Sequence, residues 1–165
     1  YSYSYKELIG VKEAFYLGRV ILSGGFGSKL KQRIREDLAL SYYIDLGHSQ
    51  FEDIGYYALR LGVDQKNKER AVIETEKVLK DFINGRFTQA EVDRARNYLI
   101  GNMIMYFETS SDLAMFYAKQ LQFEKKIEEP ARIIDRIKNV KKHEIIDMWK
   151  PILQENKLHI FLGPR

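Results

Sequence analysis

The spacing of apolar positions changes several times along the chain, and each change predicts a different element. Between residues 7 and 22, Leu8, Val11, Phe15, Leu17, Ile21 and Leu22 fall on a helical stripe with some scatter. The run Ser-Gly-Gly-Phe-Gly-Ser at 23–28 breaks that helix, because its glycines permit positive φ and tight turning. Ser28 is placed to cap a second short helix over 29–37, with Leu30 and Ile34 on one side. Residues 38–49, rich in Tyr, Ile and Leu, then predict a strand, and 50–53 a turn. In 54–63, Tyr57, Leu59 and Leu61 alternate with Ala58, Arg60 and Gly62, so a second strand is expected. The short connection makes an antiparallel hairpin the simplest pairing.

Helical spacing returns at about residue 67. Val72, Thr75, Val78, Leu79, Phe82 and Ile83 share a face, and Asn84-Gly85 is a stop signal. Thr88-Gln89-Ala90-Glu91 has the form of a capping box, flanked by Phe87 and Val92 at the spacing of a hydrophobic staple. The helix it opens runs on through Ala95, Leu99, Met103 and Phe107 to a kink or second cap at 109–112. Leu113, Phe116, Tyr117, Gln120 and Leu121 continue the pattern. Pro130 suits the first turn of another helix, to about residue 140. A last helix is expected at 144–153, distorted or ended by Pro151, and a closing strand at 158–162. The opening, 1–6, alternates Tyr and Ser and is read as a strand or an extended lead-in. Segregated strands and helices mean an α+β fold, with an antiparallel-rich sheet packed against several helices on one face, in a single domain over 1–165.

Composition narrows the chemistry. The chain has 165 residues, 45% hydrophobic and 30% charged, which are globular proportions. Cysteine is absent, which removes disulfides, thiolate metal sites and a cysteine nucleophile. No apolar run approaches the ~18 residues of a membrane span, and no signal peptide is visible. The missing cysteines and signal suit a reducing, cytoplasmic setting. The chain opens on Tyr1 and its first methionine is Met103, so a piece of a longer protein is expected. A net charge of +4 names no partner. Arg33, Arg35, Lys125-Lys126 and Lys141-Lys142 form no stripe with interleaved aromatics, so nucleic acid is not expected.

Candidate chemistry is sparse. His48, His143 and His159 are far apart and follow no H-E-x-x-H or H-x-x-E-H spacing, so no metal ligand is assigned in this chain. Neither a G-x-S-x-G elbow nor a phosphate-binding G-x-x-x-x-G-K-[ST] loop is present. A glycine-rich turn at a helix start can bind an anion, but a tight helix-to-helix turn is the simpler reading of 23–28. One constellation remains. Arg35 and Tyr42 flank the expected helix-to-strand turn, where a guanidinium and a phenol can both donate to a carbonyl or an oxyanion. Alone, an Arg and a Tyr this close are more often a surface ion pair and a packed ring.

The same residues carry a resemblance. L-S-G-G-F-G-S-K-L at 22–30, followed by I-R-E-D-L-A-L-S-Y at 34–42, resembles the signature of the C-terminal half of the pitrilysin/insulinase zinc peptidases, the inverzincins. F-E-D-I-G at 51–55, T-Q-A-E-V-D-R-A-R-N at 88–97, E-T-S-S at 108–111 and H-I-F-L-G-P at 159–164 extend it, in order, from about residue 17 to the C-terminus. The resemblance implies a clamshell of two halves, each built from two related α+β domains. Zinc is then held by an N-terminal domain carrying H-x-x-E-H and a distal Glu, whose motif Glu is the general base. That zinc-bearing half lies in the same chain or on a partner subunit, giving a dimer of halves. The C-terminal half carries no zinc and reaches a bound peptide with an Arg and a Tyr at the spacing of Arg35 and Tyr42. By transfer, Tyr42 donates its hydroxyl to the tetrahedral oxyanion and Arg35 binds a substrate carbonyl. The isolated domain is then inactive. Some members that lost zinc serve as non-catalytic partner or scaffold subunits, which is the alternative, and keeping both Arg35 and Tyr42 favours the peptidase reading. Three departures stand out: Ala39 where the family often has Gly, no Thr or Ser cap before residue 144, and an opening strand reduced to 1–5.

Overall fold

A computed structural model describes residues 2–4, 12–50, 54–124, 126–154 and 157–163. Three antiparallel strands, β1 (Ser2–Ser4), β2 (Ser41–Gln50) and β3 (Ile54–Val63), form a sheet in the order β1-β3-β2. The β2–β3 hairpin has the expected pairing, with Ile44 opposite Leu61, Leu46 opposite Leu59 and His48 opposite Tyr57. Ile44, Leu46 and Tyr57 turn inward to the helices, while Tyr43 and Tyr56 stay exposed on the sheet's other side. Among the described residues six α-helices accompany the sheet: α1 (Lys12–Ser23), α2 (Lys68–Ile83), α3 (Gln89–Tyr106), α4 (Ser110–Glu124), α5 (Pro130–Asn139) and α6 (Lys142–Gln154). The fold is the α+β arrangement expected, with helices on one face of an antiparallel sheet.

α1 is the hub and touches α3, α5, α6 and β2. Its residues Ala14, Phe15, Leu17, Val20, Ile21 and Leu22 are all buried, so the scattered apolar stripe reflects a helix covered on several sides. The expected start of this helix, at 7–11, lies outside the described residues, as does most of the 50–53 turn. Trp149 of α6 is fully buried against it and stacks on Phe15 at 5.5 Å between ring centroids. The Trp149 Nε1–H donates to the Phe15 carbonyl at 3.1 Å, which satisfies the one polar atom of the indole. Gly18 makes room for that ring, since a Cβ there would lie 2.0 Å from Nε1. Buried Glu13 receives Arg136 of α5, which also grips Glu128; the Arg136 pairing holds the Glu128 carboxyl below its ordinary range.

The caps follow the sequence closely. Thr88 Oγ1 accepts the Glu91 N–H at 3.2 Å, and Glu91 Oε2 accepts the Thr88 N–H at 2.6 Å. Phe87 and Val92, the expected staple, are both buried. Thr109 Oγ1 accepts the Asp112 N–H at 3.1 Å, so the break at 109–112 is a second cap. Gly85 takes φ +75°, the left-handed stop expected after α2. Before α6, where no Thr or Ser cap exists, Glu144 Oε2 accepts the Lys141 N–H at 2.5 Å, half of a capping box.

Three expectations need correction, and a fourth holds. The second helix is a π-helix over Lys31–Asp37, wider than the α-helix expected. The Ser28 hydroxyl is not its cap, because it donates backward to the Gly25 carbonyl at 3.0 Å. α6 ends at Gln154, close to the expected 153, with Pro151 inside its last turn; the proline removes one backbone bond while Trp149 and Ile152 remain buried and hold the helix in place. Residues 158–162 form no strand. Lys157 and His159 pair with Glu76 of α2 at 2.7 and 3.3 Å, and Lys68 lies over the Phe161 ring, so the segment runs along a helix, with no strand beside it among the described residues. An apolar run makes no strand without a ladder partner.

His48 supplies a pH prediction. Arg19 Nη1 lies 3.2 Å from His48 Nδ1, and a guanidinium only donates, so Nδ1 accepts and the neutral ring carries its proton on Nε2. Burial, and then Arg19, push the His48 pKa below its ordinary 6.5. A depressed histidine contributes stability that is complete above the ordinary value and is lost as pH falls through the folded value. Unfolding midpoints of the wild type are therefore expected to drop between pH 7.5 and 5 more steeply than those of His48→Gln. Parallel slopes would show that His48 is already solvated.

Candidate functional site

The site is built where the π-helix runs into β2. The helix stops at Ala39, whose N–H reaches the Arg35 carbonyl at 3.2 Å, while the Leu40 N–H reaches the Ile34 carbonyl at 2.9 Å. This is a left-handed helix stop widened by one residue, as a π-helix requires. Ala39 takes φ +48°, a conformation that costs a residue with a Cβ about 1–2 kcal/mol. That explains why glycine suits the position and why Ala39 is a strained substitute.

β2 opens on a bulge. Ser41 pairs with Val63 and Tyr43 with the next residue, Gly62, so Tyr42 is the extra residue. The buried Ser41 hydroxyl closes the bulge, donating at 2.7 Å to the Tyr43 carbonyl and lying 2.8 Å from that of Gly62. An unbroken pleat would send Tyr42 and Tyr43 to opposite faces. With the bulge, both are exposed, and Tyr42 is 86% so. The Arg35 guanidinium carbon lies 5.1 Å from the Tyr42 ring centroid and 5.7 Å from that of Phe26, in the glycine-rich turn. Its Nε is 3.3 Å from Glu36. The structure thus brings together Arg35 and Tyr42, the two residues picked from the sequence, and presents donors of both to solvent.

Neighbouring contacts fix the frame. Arg33 donates to Glu74 of α2 at 3.0 and 2.8 Å, and that pairing holds the Glu74 carboxyl below its ordinary value. Lys29 pairs with Glu91 at 2.9 Å, tying the glycine-rich turn to the α3 cap. Burial pushes the Glu91 carboxyl up, but the Thr88 N–H and Lys29 outweigh it and hold its pKa below the ordinary value.

Sequence reasoning missed the bulge, the π-helix and Phe26. In the sequence the bulge leaves only two successive tyrosines between Ser41 and Ile44, and that both are exposed is known from the structure alone. Zinc does not fit here. Among the described residues no three His, Asp or Glu side chains converge as ligands. His48 is engaged by Arg19 and His159 by Glu76. No helix among the described residues is long and apolar enough to cross a membrane.

Comparisons with known proteins bear on the family and the fold. Residues 12–99, more than half of the chain, match the family described as the peptidase M16 inactive domain. A Rickettsia bellii protein called an uncharacterized zinc protease is 26% identical over 145 residues, covering 88% of this chain and 35% of that protein. The Helicobacter pylori protein named non-peptidase homolog YmxG is 36% identical over 96 residues, 55% of this chain and 21% of that protein. The chain thus spans about a third or less of these relatives. A crystal structure of a peptidase M16 inactive domain from Pseudomonas fluorescens superposes with a TM-score of 0.78 at 19% identity, over 86% of this chain and 34% of that one. The periplasmic protease PqqL from Escherichia coli gives 0.66 at 14% identity, over 85% and 15%. The glycine-rich turn, the Arg35–Tyr42 junction and the capped α3 start all fall inside the matched region, and the chain belongs to the M16 inactive-domain family, found in zinc-protease-like proteins.

Proposed function

We propose that this chain is the substrate-binding wall of a zinc-dependent metalloendopeptidase whose zinc sits on another domain, in the same chain or on a partner subunit. Tyr42 donates its hydroxyl to the oxyanion formed when a peptide carbonyl is attacked. Arg35 donates to a neighbouring peptide carbonyl. The observation that carries the reading is the juxtaposition of the two side chains, the Arg35 guanidinium carbon 5.1 Å from the Tyr42 ring centroid, with Tyr42 pushed outward by a bulge. Bulges re-aim side chains beside active sites, and nothing in the packing of the domain calls for an exposed ring there.

The test is peptide hydrolysis by the assembled protein. Arg35→Ala is expected to raise KM about tenfold or more, the scale of a lost charge-assisted hydrogen bond, with a much smaller change in kcat. An unaltered KM would remove Arg35 from the site. A second reading, a non-catalytic partner subunit, is favoured by one observation: a relative of 36% identity is named a non-peptidase homolog. It predicts that hydrolysis by the assembly is indifferent to both Arg35 and Tyr42.

A further inference from the structure

The turn between α1 and the π-helix carries an exposed ring on a rigid support. Phe26 is 75% exposed, yet the backbone around it is tied down. The Gly24 N–H reaches the Val20 carbonyl at 2.7 Å, and the Ser28 hydroxyl the Gly25 carbonyl at 3.0 Å. The Gln32 amide donates to the Phe26 carbonyl itself at 3.3 Å, and Arg94 of α3 to the Gly27 carbonyl at 2.6 Å. Gly25 takes φ +71°, and a Cβ on Gly24 would lie 2.7 Å from the Val20 Cα, so the turn has little freedom to change shape. An apolar ring held this firmly in solvent contributes nothing to the core. Its aromatic face instead meets cations: the Arg35 guanidinium carbon at 5.7 Å and Lys31 Nζ at 5.9 Å.

Arg35 has a competing partner, Glu36, at 3.3 Å, and a long side chain in water has many rotamers. Two ring faces within 6 Å of one guanidinium narrow that choice. We propose that Phe26 is a positioning residue for Arg35, holding its guanidinium beside Tyr42 with its donors free for a peptide carbonyl. This rests on the role given to Arg35 above. Phe26 acts before the peptide arrives, by reducing the orientations that Arg35 must lose on binding.

The test measures the dissociation constant of an unfolded peptide for the assembled protein, with thermal unfolding as the control for folding. Phe26→Ala is expected to weaken binding about two- to fivefold, the scale of an exposed cation–π contact. Phe26→Trp restores affinity, Phe26→Leu does not, and Phe26→Ala adds nothing in an Arg35→Ala background. Turnover at saturating peptide stays at the wild-type level. Three results overturn the proposal: wild-type affinity in Phe26→Ala, full rescue by Leu, or equal losses with and without Arg35, which would make Phe26 a direct peptide contact. If Arg35→Ala itself binds peptide like the wild type, the parent reading fails and this proposal with it. If Arg35→Ala weakens binding while Phe26→Ala does not, only the present proposal fails.

Discussion

On the proposed function, Tyr42→Phe is expected to lower peptide hydrolysis by the assembled protein about 100-fold while leaving the unfolding midpoint of the domain unchanged. Both halves of that statement come from the same geometry. The Tyr42 side chain is 86% exposed, so its hydroxyl replaces no buried hydrogen bond and its removal opens no cavity. A donor aimed at developing negative charge has the opposite profile. It interacts weakly with the neutral ground-state carbonyl and strongly with the oxyanion, so its loss falls on kcat more than on KM. Arg35→Ala should show the reverse split, and the contrast is the discriminating result. Steady-state kinetics on both variants, at equal folded fraction, measure it. Turnover of Tyr42→Phe equal to the wild type would leave Tyr42 a surface ring and favour the partner-subunit reading.

The second large effect lies far from the site. Gly18→Ala is expected to destabilise the domain by about 3–5 kcal/mol and lower its melting temperature by roughly 10 °C. The added Cβ would sit 2.0 Å from Trp149 Nε1 and 2.5 Å from Cδ1. The indole has nowhere to go. It is fully buried, stacked on Phe15 and edge-on to Phe82, and leaving its place breaks the bond to the Phe15 carbonyl. Helix propensity alone predicts the opposite sign, since alanine favours a helix over glycine by about 1 kcal/mol. The steric term wins because cores are close-packed. The chain has a single tryptophan, so its fluorescence reports on this one contact during unfolding. Adding Trp149→Phe to Gly18→Ala should recover part of the loss. A Gly18→Ala variant melting with the wild type would show that the indole has slack.

Much of the fold is readable residue by residue because the signals are local. The capping box at Thr88 and Glu91, the stop at Gly85, the proline opening α5 and the alternation of β3 each concern groups a few positions apart. Backbone groups at helix ends must be satisfied by what lies nearest. Where a distant partner decides, the sequence misleads. Residues 158–162 are apolar enough to look like a strand, but Glu76 and Lys68 of α2 hold this segment. Ser28 has the look of a cap, but its hydroxyl turns back to Gly25.

The candidate site divides in the same way. The identities of Arg35 and Tyr42, their spacing and the motif around them are properties of the sequence, and they suffice for the family and the choice of residues. The sequence also settles that no cysteine takes part. Only the tertiary structure decides that the two side chains meet, because that depends on a π-turn, a left-handed Ala39 and a bulge that sets Ser41 inward and Tyr42 outward. It alone brings Phe26 to Arg35 across a turn tied to α3. Local composition specifies which backbone shapes are cheap. Which side chains then come within a few ångströms is set by packing between segments far apart in the chain, and no spacing rule encodes that.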